Sequence, residues 1–171
     1  MYIRAVAADA TVMTVIAADA KAVAASTETT AGADVINIMK TAVVILNWNT
    51  EGFLRDFLPG LLQSVRNVEG AEVIVADNAS SDGSMTVMKE MFPQVRTIAF
   101  DKNYGFTGGY NRAFEQIDSE YFVLINSDIE VPEDWLGPLV DWMDTHPECG
   151  ACAPKLHSWQ EREKFEYAGA A

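Results

Sequence analysis

The sequence predicts an α/β domain: a three-layer sandwich in which helices cover both faces of a mostly parallel sheet. From residue 39 onward, short apolar runs rich in β-branched residues alternate with segments whose apolar residues recur at helical spacing. The strand-like runs are almost continuously apolar, which is typical of parallel strands that are buried on both faces. About half of the 171 residues are apolar, enough for one hydrophobic core, so a single domain is expected.

The strand and helix segments follow one another as four units. The strands are predicted at 41–47, 71–77, 95–100 and 121–126, with a short fifth strand near Ala151. The helices are predicted at 54–65, 85–91, 110–117 and 132–143. Pro59 is expected to kink the first helix or to make it restart after a turn, because proline lacks the amide hydrogen of a helix interior. Pro132 is expected to be the first residue of the fourth helix, a position where proline is favoured.

The first 38 residues differ in composition from the rest of the chain. They are rich in Ala, Val and Thr, and the tetrapeptide AADA occurs at 7–10 and again at 17–20. Two short copies do not define a repeat protein, and a marginal helix, a strand pair and an irregular tail all stay open for this segment. We therefore divide the chain into an N-terminal extension, 1–38, and a domain that spans 39–171.

Charge and hydropathy exclude several functional classes. The formal net charge of −13 argues against binding to nucleic acid, which needs a basic surface to displace counterions. No apolar run of the sequence approaches the roughly 20 residues that span a bilayer. Asp9 and Asp19 interrupt the apolar N-terminus, so no secretory signal is expected. Only two cysteines are present, which suits a reducing compartment, and we expect a soluble, cytoplasmic protein.

Each of the four main strands ends on polar side chains. These ends read NWNT at 47–50, DNASSDGS at 77–84, DKNYGFTGGYN at 101–111 and NSD at 126–128. One polar ending is ordinary turn chemistry, since Asn, Asp and Ser terminate strands and cap helices. Open parallel sheets, however, bind ligands in the crevice at the carboxyl ends of their strands. Four polar endings in one crevice therefore predict a binding site there.

Taken in order, the four endings resemble the nucleotide-sugar-binding part of an inverting family 2 glycosyltransferase with a GT-A fold. The matching elements are NWN after the first strand, VADNASSDGS after the second, NxGFxGGxN after the third and LINSD after the fourth. The likeness is greatest to bacterial rhamnosyltransferase-like members and covers 39–171, whereas 1–38 has no counterpart in it. The resemblance implies a truncated GT-A fold, a Rossmann-like nucleotide-diphospho-sugar transferase, and a UDP- or dTDP-sugar donor.

The resemblance also implies roles for individual residues. Asp77 would accept the imide N–H of uracil or thymine, a charge-assisted contact that favours those bases over adenine. Trp48 would pack against the base and ribose, although a position in the hydrophobic core fits it equally well. The other residues expected along the donor are Asn47, Asn49, Asn78, Asn103, Gly105, Gly108, Gly109, Asn111, Asn126 and Ser127. In the alternative that stays open, Asp77, Asn78 and Asp82 only shape a turn and cap the helix that starts near Ser84.

Asp128 matches the last acidic position of the family's DxD-like element. There a carboxylate would hold Mg²⁺ or Mn²⁺ against the diphosphate oxygens of the donor, and the cation would stabilise the leaving group as a Lewis acid. Asn126 stands where that element has an acidic residue, so the resemblance assures one carboxylate, and phosphates and water would supply the other ligands. The alternative for Asp128 is a helix cap, which fits poorly because the residue directly before Pro132 is Val131.

The stretch CGAC at 149–152 raises two further questions. A CxxC redox pair is disfavoured, because such pairs precede a helix and no helix is predicted after this one. Together with His146 and His157, Cys149 and Cys152 have the spacing HxxCxxCxxxxH, which a zinc site could use. Small buried cysteines are the more common explanation of such a pair, and the zinc site stays open.

The function expected from the resemblance is transfer of a sugar from a UDP- or dTDP-sugar to an acceptor hydroxyl, in the synthesis of a bacterial cell-surface polysaccharide. The acceptor would be a glycan or a lipid-linked sugar, and peripheral association with machinery at the inner face of the membrane is compatible with it. The family's catalytic base lies in a later segment, and this chain stops at Ala171 before any such segment. Two alternatives stay open: a truncated, non-catalytic nucleotide-binding domain, and a nucleotidyltransferase, which would need a basic phosphate loop near the first strand.

Overall fold

A computed structural model describes residues 3–5, 13–18 and 39–167. Within these ranges the strands are β1 (Ile3–Ala5), β2 (Met13–Ala17), β3 (Met39–Asn47), β4 (Ala71–Asp77), β5 (Arg96–Ala99), β6 (Ser119–Ile125), β7 (Ile129–Glu130), β8 (Ala151–Cys152), β9 (Leu156–Ser158) and β10 (Phe165–Tyr167). The helices are α1 (Glu51–Val65), α2 (Ser84–Met91), α3 (Gly105–Phe114) and α4 (Leu136–Thr145). None of the helices in the described ranges is long and apolar enough to cross a membrane.

The main sheet has six strands in the order β5-β4-β3-β6-β2-β8 within the described ranges. The strands β5, β4, β3 and β6 run parallel to one another, in a register that sets Val43 opposite both Val73 and Val123. Parallel strands need crossover connections, and the helices that follow β3, β4 and β5 provide them. The predicted α/β architecture with a mostly parallel sheet is confirmed.

Each face of the sheet has its own hydrophobic core, because successive residues of a strand point to opposite faces. Val43 and Ile45 of β3 belong to one cluster, together with buried residues of α1, α2 and α4. Ala42 and Val44 belong to a second cluster, which includes Tyr110 of α3. The described helices therefore cover both faces, three on one side and one on the other, which is the three-layer arrangement that the sequence predicts.

Part of the N-terminal extension belongs to the main sheet. β2 lies antiparallel between β6 and β8, with Val15 opposite both Val123 and Cys152. Met13 and Val15 are 3% and 0% exposed and pack in the cluster that contains α1. β1 pairs with β7 and β9 in a second, smaller sheet of order β10-β9-β1-β7. The described parts of the extension are thus strands, and they pair with later parts of the chain; residues 6–12 and 19–38 lie outside the described ranges.

The first helix, α1, runs from Glu51 to Val65 without interruption, so the predicted restart after Pro59 is wrong. Proline in a helix interior removes the hydrogen bond to the carbonyl one turn earlier, which here belongs to Arg55. Pro59 and Arg55 are both exposed, so water can take the place of the missing bond. The buried residues Leu54, Leu58 and Leu61 lie on the other side of the helix and hold it against the sheet.

The fourth helix, α4, begins at Leu136 and not at Pro132 as the sequence predicts. Residues 133–135 form a turn that precedes the helix. Trp135 at the end of this turn is 2% exposed, and its indole N–H donates to the Ser64 hydroxyl oxygen at 2.9 Å. Burial of this large side chain fixes the chain before the helix starts, which outweighs the preference of proline for the first helical position.

Candidate functional site

The sheet topology places one crevice at the carboxyl ends of the strands. From β3 the chain moves outward through β4 to β5 on one side and then crosses to β6 on the other side of β3. Ligands of open α/β sheets bind where the strand order reverses in this way. A cavity of about 400 Å³ opens at this point, within the size range of small-molecule sites. Its lining consists of Leu46, Trp48, Thr50, Phe53, Asn78, Asn103, Gly105, Phe106, Asn126, Ser127 and Asp128.

Seven of the residues expected along the donor or its cation line this cavity. They come from the ends of β3, β4 and β6 and from the start of α3, and they are Trp48, Asn78, Asn103, Gly105, Asn126, Ser127 and Asp128. The other expected residues do not line it, and they are Asn47, Asn49, Asp77, Gly108, Gly109 and Asn111. The structure thus brings together part of the expected set, and the rest lies outside the lining of the cavity.

Asn47 and Asp77 form a buried pair at the ends of neighbouring strands. They are 0% and 2% exposed, and the Asn47 side-chain amide donates to Asp77 Oδ1 at 2.7 Å. The same amide donates to the Ser80 hydroxyl oxygen at 3.0 Å, and the Ser80 backbone N–H donates to Asp77 Oδ2 at 3.0 Å. The Thr50 hydroxyl completes the network by donating to Asn47 Oδ1. This network fixes the loop after β4 to the end of β3, next along the chain to Trp48 and Asn78, which line the cavity.

Asn49 joins the loops after β3 and β4. Its backbone has a positive φ of 56°, in the left-handed region that asparagine tolerates better than most residues. Its side-chain oxygen accepts from the backbone N–H groups of Ser81 and Asp82 at 2.7 and 3.3 Å, and its own N–H donates to the Ser80 hydroxyl oxygen at 2.9 Å. Asp82 in turn accepts from the first N–H of α1, that of Glu51, at 3.0 Å. The contacts of Asn49 therefore hold the two loops together.

Asn78 holds the loop that precedes α3. It is 2% exposed, and its amide nitrogen donates to Asn103 Oδ1 at 2.9 Å and to the Gly105 carbonyl oxygen at 3.1 Å. Its side-chain oxygen accepts from the Tyr104 backbone N–H at 2.9 Å. One side chain thus satisfies both ends of a tight turn, and Asn103 also accepts from the Gly105 N–H at 2.7 Å. These bonds set the position of the cavity wall that 103–106 forms.

The glycines of the third polar stretch lie in α3, which begins at Gly105 and not at Tyr110 as the apolar spacing predicts. Gly105 has a φ of +71°, which only glycine adopts without strain. Gly109 is buried, and a Cβ built on it would lie 2.7 Å from Leu46 Cδ1, so the absent side chain allows α3 to approach β3 closely. Asn111 is exposed on α3 and does not line the cavity. Close packing therefore explains a helix in a segment with low helix propensity.

The other wall of the cavity follows β6. Ser127 and Asp128 are 9% and 7% exposed, and Asn126 is half-buried. Together they offer an amide oxygen, a hydroxyl and a carboxylate, all of them hard oxygen ligands of the kind that Mg²⁺ and Mn²⁺ prefer. No group of three or more His, Cys, Asp or Glu that could hold a metal ion occurs among the described residues. These residues fit a cation that takes its remaining ligands from a substrate and water.

Two aromatic residues of the cavity are additional to those expected from the sequence. Phe53 in the first turn of α1 and Phe106 in the first turn of α3 both line it, and Phe106 is 46% exposed. Trp48 is 53% exposed, which rules out the core position that the sequence left open for it. The sequence signal for Phe106 was its place between two glycines of the polar stretch, where a large apolar side chain needs an explanation.

The zinc site left open for the CGAC region is not formed in the described residues. His146 stacks on Trp142 with ring centroids 3.7 Å apart, and His157 Nδ1 lies 2.9 Å from the Arg162 carbonyl oxygen. Cys149 and Cys152 are both free cysteines, and burial together with the nearby Cys149 raises the pKa of the Cys152 thiol.

The fold and the cavity together define an α/β domain with a cavity at the switch point of its sheet. The profile of Glycosyl transferase family 2 matches residues 42–167, and the chain belongs to this family. The expected membership is confirmed by a match that covers most of the domain.

Two curated relatives illustrate the range of the family. An undecaprenyl-phosphate 4-deoxy-4-formamido-L-arabinose transferase of Proteus mirabilis is 29% identical over 108 residues, which are 60% of this chain and 33% of that one. An N-acetylglucosaminyl-diphospho-decaprenol L-rhamnosyltransferase of Mycobacterium tuberculosis is 24% identical over 125 residues, which are 67% of this chain and 40% of that one. This chain thus spans between a third and two fifths of the length of these relatives.

Two solved structures share the fold. S. aureus TarS 1–349, in complex with UDP, has a TM-score of 0.55 and 22% identity, covering 64% of this chain and 33% of that chain. The mannosyltransferase PcManGT from Pyrobaculum calidifontis, in complex with GDP-Man and Mn²⁺, has a TM-score of 0.53 and 20% identity, covering 61% and 32%. At these identities the likeness shows the fold, which is the GT-A fold that the sequence predicts.

Proposed function

We propose that this chain is the donor-binding part of an inverting glycosyltransferase that transfers a sugar from a UDP- or dTDP-sugar to an acceptor hydroxyl. The observation that carries the proposal is the cavity at the switch point, which has an exposed aromatic ring, Trp48, on its lining and a carboxylate, Asp128, at the end of β6. A nucleoside diphosphate has a matching pattern: a flat base at one end and a diphosphate at the other. Family membership supports this reading.

The base of the donor is assigned to the side of the cavity formed by the loops after β3 and β4. The Trp48 ring can stack on a pyrimidine, and the Asp77 carboxylate at the end of β4 can accept the imide N–H of uracil or thymine. Each Asp77 oxygen already accepts one hydrogen bond, from Asn47 or from Ser80, and a carboxylate has about four lone-pair sites. The related TarS structure with bound UDP supports a uridine donor.

The diphosphate is assigned to the side formed by Asn126, Ser127 and Asp128, together with Mg²⁺ or Mn²⁺. No lysine or arginine is among the described residues that line the cavity, so the phosphate charge has no cationic side chain beside it. In a protein with a formal net charge of −13, a divalent cation is the natural neutralising partner. When bound, the cation would supply Lewis-acid stabilisation of the nucleoside diphosphate leaving group. The Mn²⁺ in the PcManGT structure supports this assignment.

The acceptor is proposed to be a glycan or lipid-linked sugar of a bacterial surface polysaccharide, handled at the inner face of the membrane. The names of the two relatives, which refer to undecaprenyl and decaprenol carriers, support a lipid-linked acceptor. The general base is proposed to come from outside the described residues, because the one carboxylate among them that lines the cavity, Asp128, is assigned to the cation. Asp144 is a poor candidate, since Lys40 and Tyr121 both bond its carboxylate.

Titration calorimetry with UDP, dTDP, GDP and ADP, each with and without Mn²⁺, tests the proposal. We expect UDP or dTDP to bind more tightly than ADP, and Mn²⁺ to strengthen binding about tenfold or more, equivalent to about 1.4 kcal/mol. Asp128→Asn should remove the Mn²⁺ effect, whereas Asp118→Asn, at an exposed position directly before β6, should leave it unchanged. Equal affinity for ADP, or a Mn²⁺ effect that survives in Asp128→Asn, would contradict the assignment.

Sugar transfer by the purified chain, with a panel of UDP- and dTDP-sugars, separates an enzyme from a non-catalytic binding domain. Nucleotide binding without transfer would favour the binding domain. Tight binding of a nucleoside triphosphate together with release of pyrophosphate would favour a nucleotidyltransferase.

A further inference from the structure

A second depression lies next to the cavity, between α1 and the hairpin formed by β9 and β10. It has a volume of about 460 Å³, and we call it the α1–hairpin groove. Phe57 and Gly60 of α1 line one side and Trp159, the first residue of the hairpin loop, lines the other. The carboxylates of Asp56 and Glu130 also line it. Neither the family assignment nor the expected donor residues account for this groove.

The groove adjoins the donor cavity along two walls. The Phe53 ring, which lines the cavity, has its centroid 6.2 Å from that of Phe57, and the Phe57 centroid lies 5.7 Å from that of Trp159. On the opposite wall, Asp128 lines the cavity and Glu130, two residues further along the same segment, lines the groove. A glycosyl acceptor must bring its hydroxyl to bonding distance of the donor sugar, so its binding site has to adjoin the donor site.

Another described depression lies at the far end of the sheet. Its lining includes Arg66 at the end of α1 and Ala71 and Glu72 at the start of β4, at the amino ends of the parallel strands. An acceptor bound there would be separated from the donor by the length of the strands. The α1–hairpin groove therefore meets the geometric requirement, whereas this third depression does not.

The chemistry of the groove suits a neutral sugar ring. Sugars present an apolar face of C–H groups, which packs on aromatic rings such as Trp159 and Phe57, and hydroxyls at the edge, which donate to carboxylates such as Asp56. No lysine or arginine is among the described residues that line the groove, and the carboxylates of Asp56 and Glu130 on its lining disfavour a phosphate. Arg162 lies over the Trp159 ring, with its Cζ atom 5.6 Å from the centroid, and helps to fix the ring's position.

We propose that the α1–hairpin groove binds a neutral sugar residue of the acceptor. This inference rests on the proposed function, because an acceptor subsite requires a donor site beside it. It goes beyond that function by assigning acceptor recognition to residues of this chain and by naming the moiety that they bind: an uncharged sugar, and neither the phosphate nor the prenyl chain of a lipid-linked acceptor.

Nuclear magnetic resonance of the tryptophan indole N–H groups tests the proposal, because the sequence has only four tryptophans. The Trp159→Phe and Trp48→Phe variants assign two of the four signals. The probes are the methyl glycosides of glucose, galactose, mannose, rhamnose and N-acetylglucosamine at millimolar concentration, with UDP and Mn²⁺ added in a separate titration. We expect at least one glycoside to shift the Trp159 signal in a saturable manner and to leave the buried Trp135 signal in place.

Gly60→Leu is the variant that blocks the groove. A Cβ built on Gly60 meets no atom within 4 Å, so a side chain at this position starts in open space on the lining of the groove. Gly137→Leu is the matched control, because Gly137 is also helical and its Cβ also meets nothing within 4 Å, but it lies on α4 and does not line the groove. We expect Gly60→Leu to weaken the glycoside about tenfold or more, and Gly137→Leu to leave its affinity unchanged.

The outcomes separate this inference from the proposed function. Equal glycoside affinity in Gly60→Leu and the original chain would overturn the acceptor-groove inference. A Trp159 signal that no glycoside moves would also overturn it. A Trp159 signal that shifts with a detergent-solubilised polyprenyl phosphate, and with none of the glycosides, would also overturn it in favour of a lipid site. UDP binding is read independently at the Trp48 signal, so donor binding can succeed while the groove fails, or the reverse.

Discussion

The Asn78→Ala substitution removes the side chain that ties the end of β4 to the loop before α3. Asn78 is 2% exposed and makes three side-chain hydrogen bonds: to Asn103 Oδ1 at 2.9 Å, to the Gly105 carbonyl oxygen at 3.1 Å, and from the Tyr104 N–H at 2.9 Å. Each such bond contributes about 0.5–1.5 kcal/mol net, so the three together contribute about 1.5–4.5 kcal/mol.

The lower half of this range is expected, because the partners differ in their access to water. Asn103 and Gly105 are exposed and can exchange the lost bond for one to solvent, whereas Tyr104 is half-buried and its N–H is less easily hydrated. We therefore expect the free energy of unfolding to fall by about 2 kcal/mol in Asn78→Ala. The loss should be concentrated in the cavity wall, since the core residues do not depend on this side chain.

Urea denaturation measures the loss, and amide hydrogen exchange locates it. The Tyr104 and Gly105 amides should exchange faster in the variant than in the original chain. The exchange rate of the Val75 amide, in the centre of β4, should change only as much as the loss of global stability predicts. Thr107→Ala is the control, because Thr107 is exposed on α3. Surface substitutions of this kind change the free energy of unfolding by no more than about 0.5 kcal/mol. A loss in Asn78→Ala as small as in the control, with unchanged exchange at Tyr104, would refute the role of Asn78 in holding the loop.

Three further substitutions test other parts of the fold. Val15→Ala should lower the free energy of unfolding by about 2 kcal/mol, because Val15 is 0% exposed; a change near zero in urea denaturation would mean that β2 adds nothing to the stable core. Ser64→Ala should cost about 1–3 kcal/mol in the same assay, because it leaves the buried Trp135 indole N–H without its acceptor; an effect equal to that of an exposed Ser→Ala change would contradict this reasoning. The hydrogen bond from Lys40 holds the pKa of Asp144 below its usual value. The Asp144 carboxylate therefore stabilises the fold at a pH above its unfolded pKa of about 3.9, and this contribution is lost as the pH falls through the lower folded pKa. Asp144→Asn should therefore flatten the acid side of the curve of thermal stability against pH, and a slope identical to that of the original chain would show that the pair contributes nothing.

The parallel part of the fold could be predicted from the sequence because each element has a strong local signal. The strand from Met39 to Asn47 is a β-branched apolar run, and α1 shows apolar residues at helical spacing over four turns. The position of the cavity followed from the same elements, since the polar residues after β3 and β6 meet at the switch point of any such sheet.

The N-terminal strands could not be predicted in this way. β2 is held by backbone hydrogen bonds to β6, a strand more than a hundred positions away, and pairing of this kind leaves no local pattern in the sequence. Its first four residues alternate between buried and partly buried, but they stand in an Ala-rich segment where helix, strand and tail were equally compatible with composition. A tertiary partner decided the structure of this segment.

The sequence also could not show which polar residues of a motif face the ligand. Asn47, Trp48 and Asn49 are consecutive, yet Asn47 is fully buried, Trp48 is exposed, and Asn49 turns back to bond the loop after β4 through its positive φ. A change of backbone conformation at one residue redirects the next side chain, and spacing alone does not reveal it.

The buried polar residues Asn47, Asp77 and Asn78 hold the loops at the strand ends in place. The same contacts would position these loops for a ligand. The strands end here, so their last backbone groups need partners, and these are found between loops: the Asn78 N–H donates to the Asn47 carbonyl oxygen at 2.8 Å and the Phe100 N–H to that of Asp77 at 2.9 Å. A substitution of Asp77 would therefore weaken nucleotide binding even if Asp77 never touched the base, because the loop that it bonds would move. A loss of nucleotide affinity identifies a ligand contact at Asp77 only when the variant keeps its free energy of unfolding and the amide exchange rates of the loop. Trp48, whose ring is more than half exposed at the cavity, is a cleaner position for assigning a direct contact.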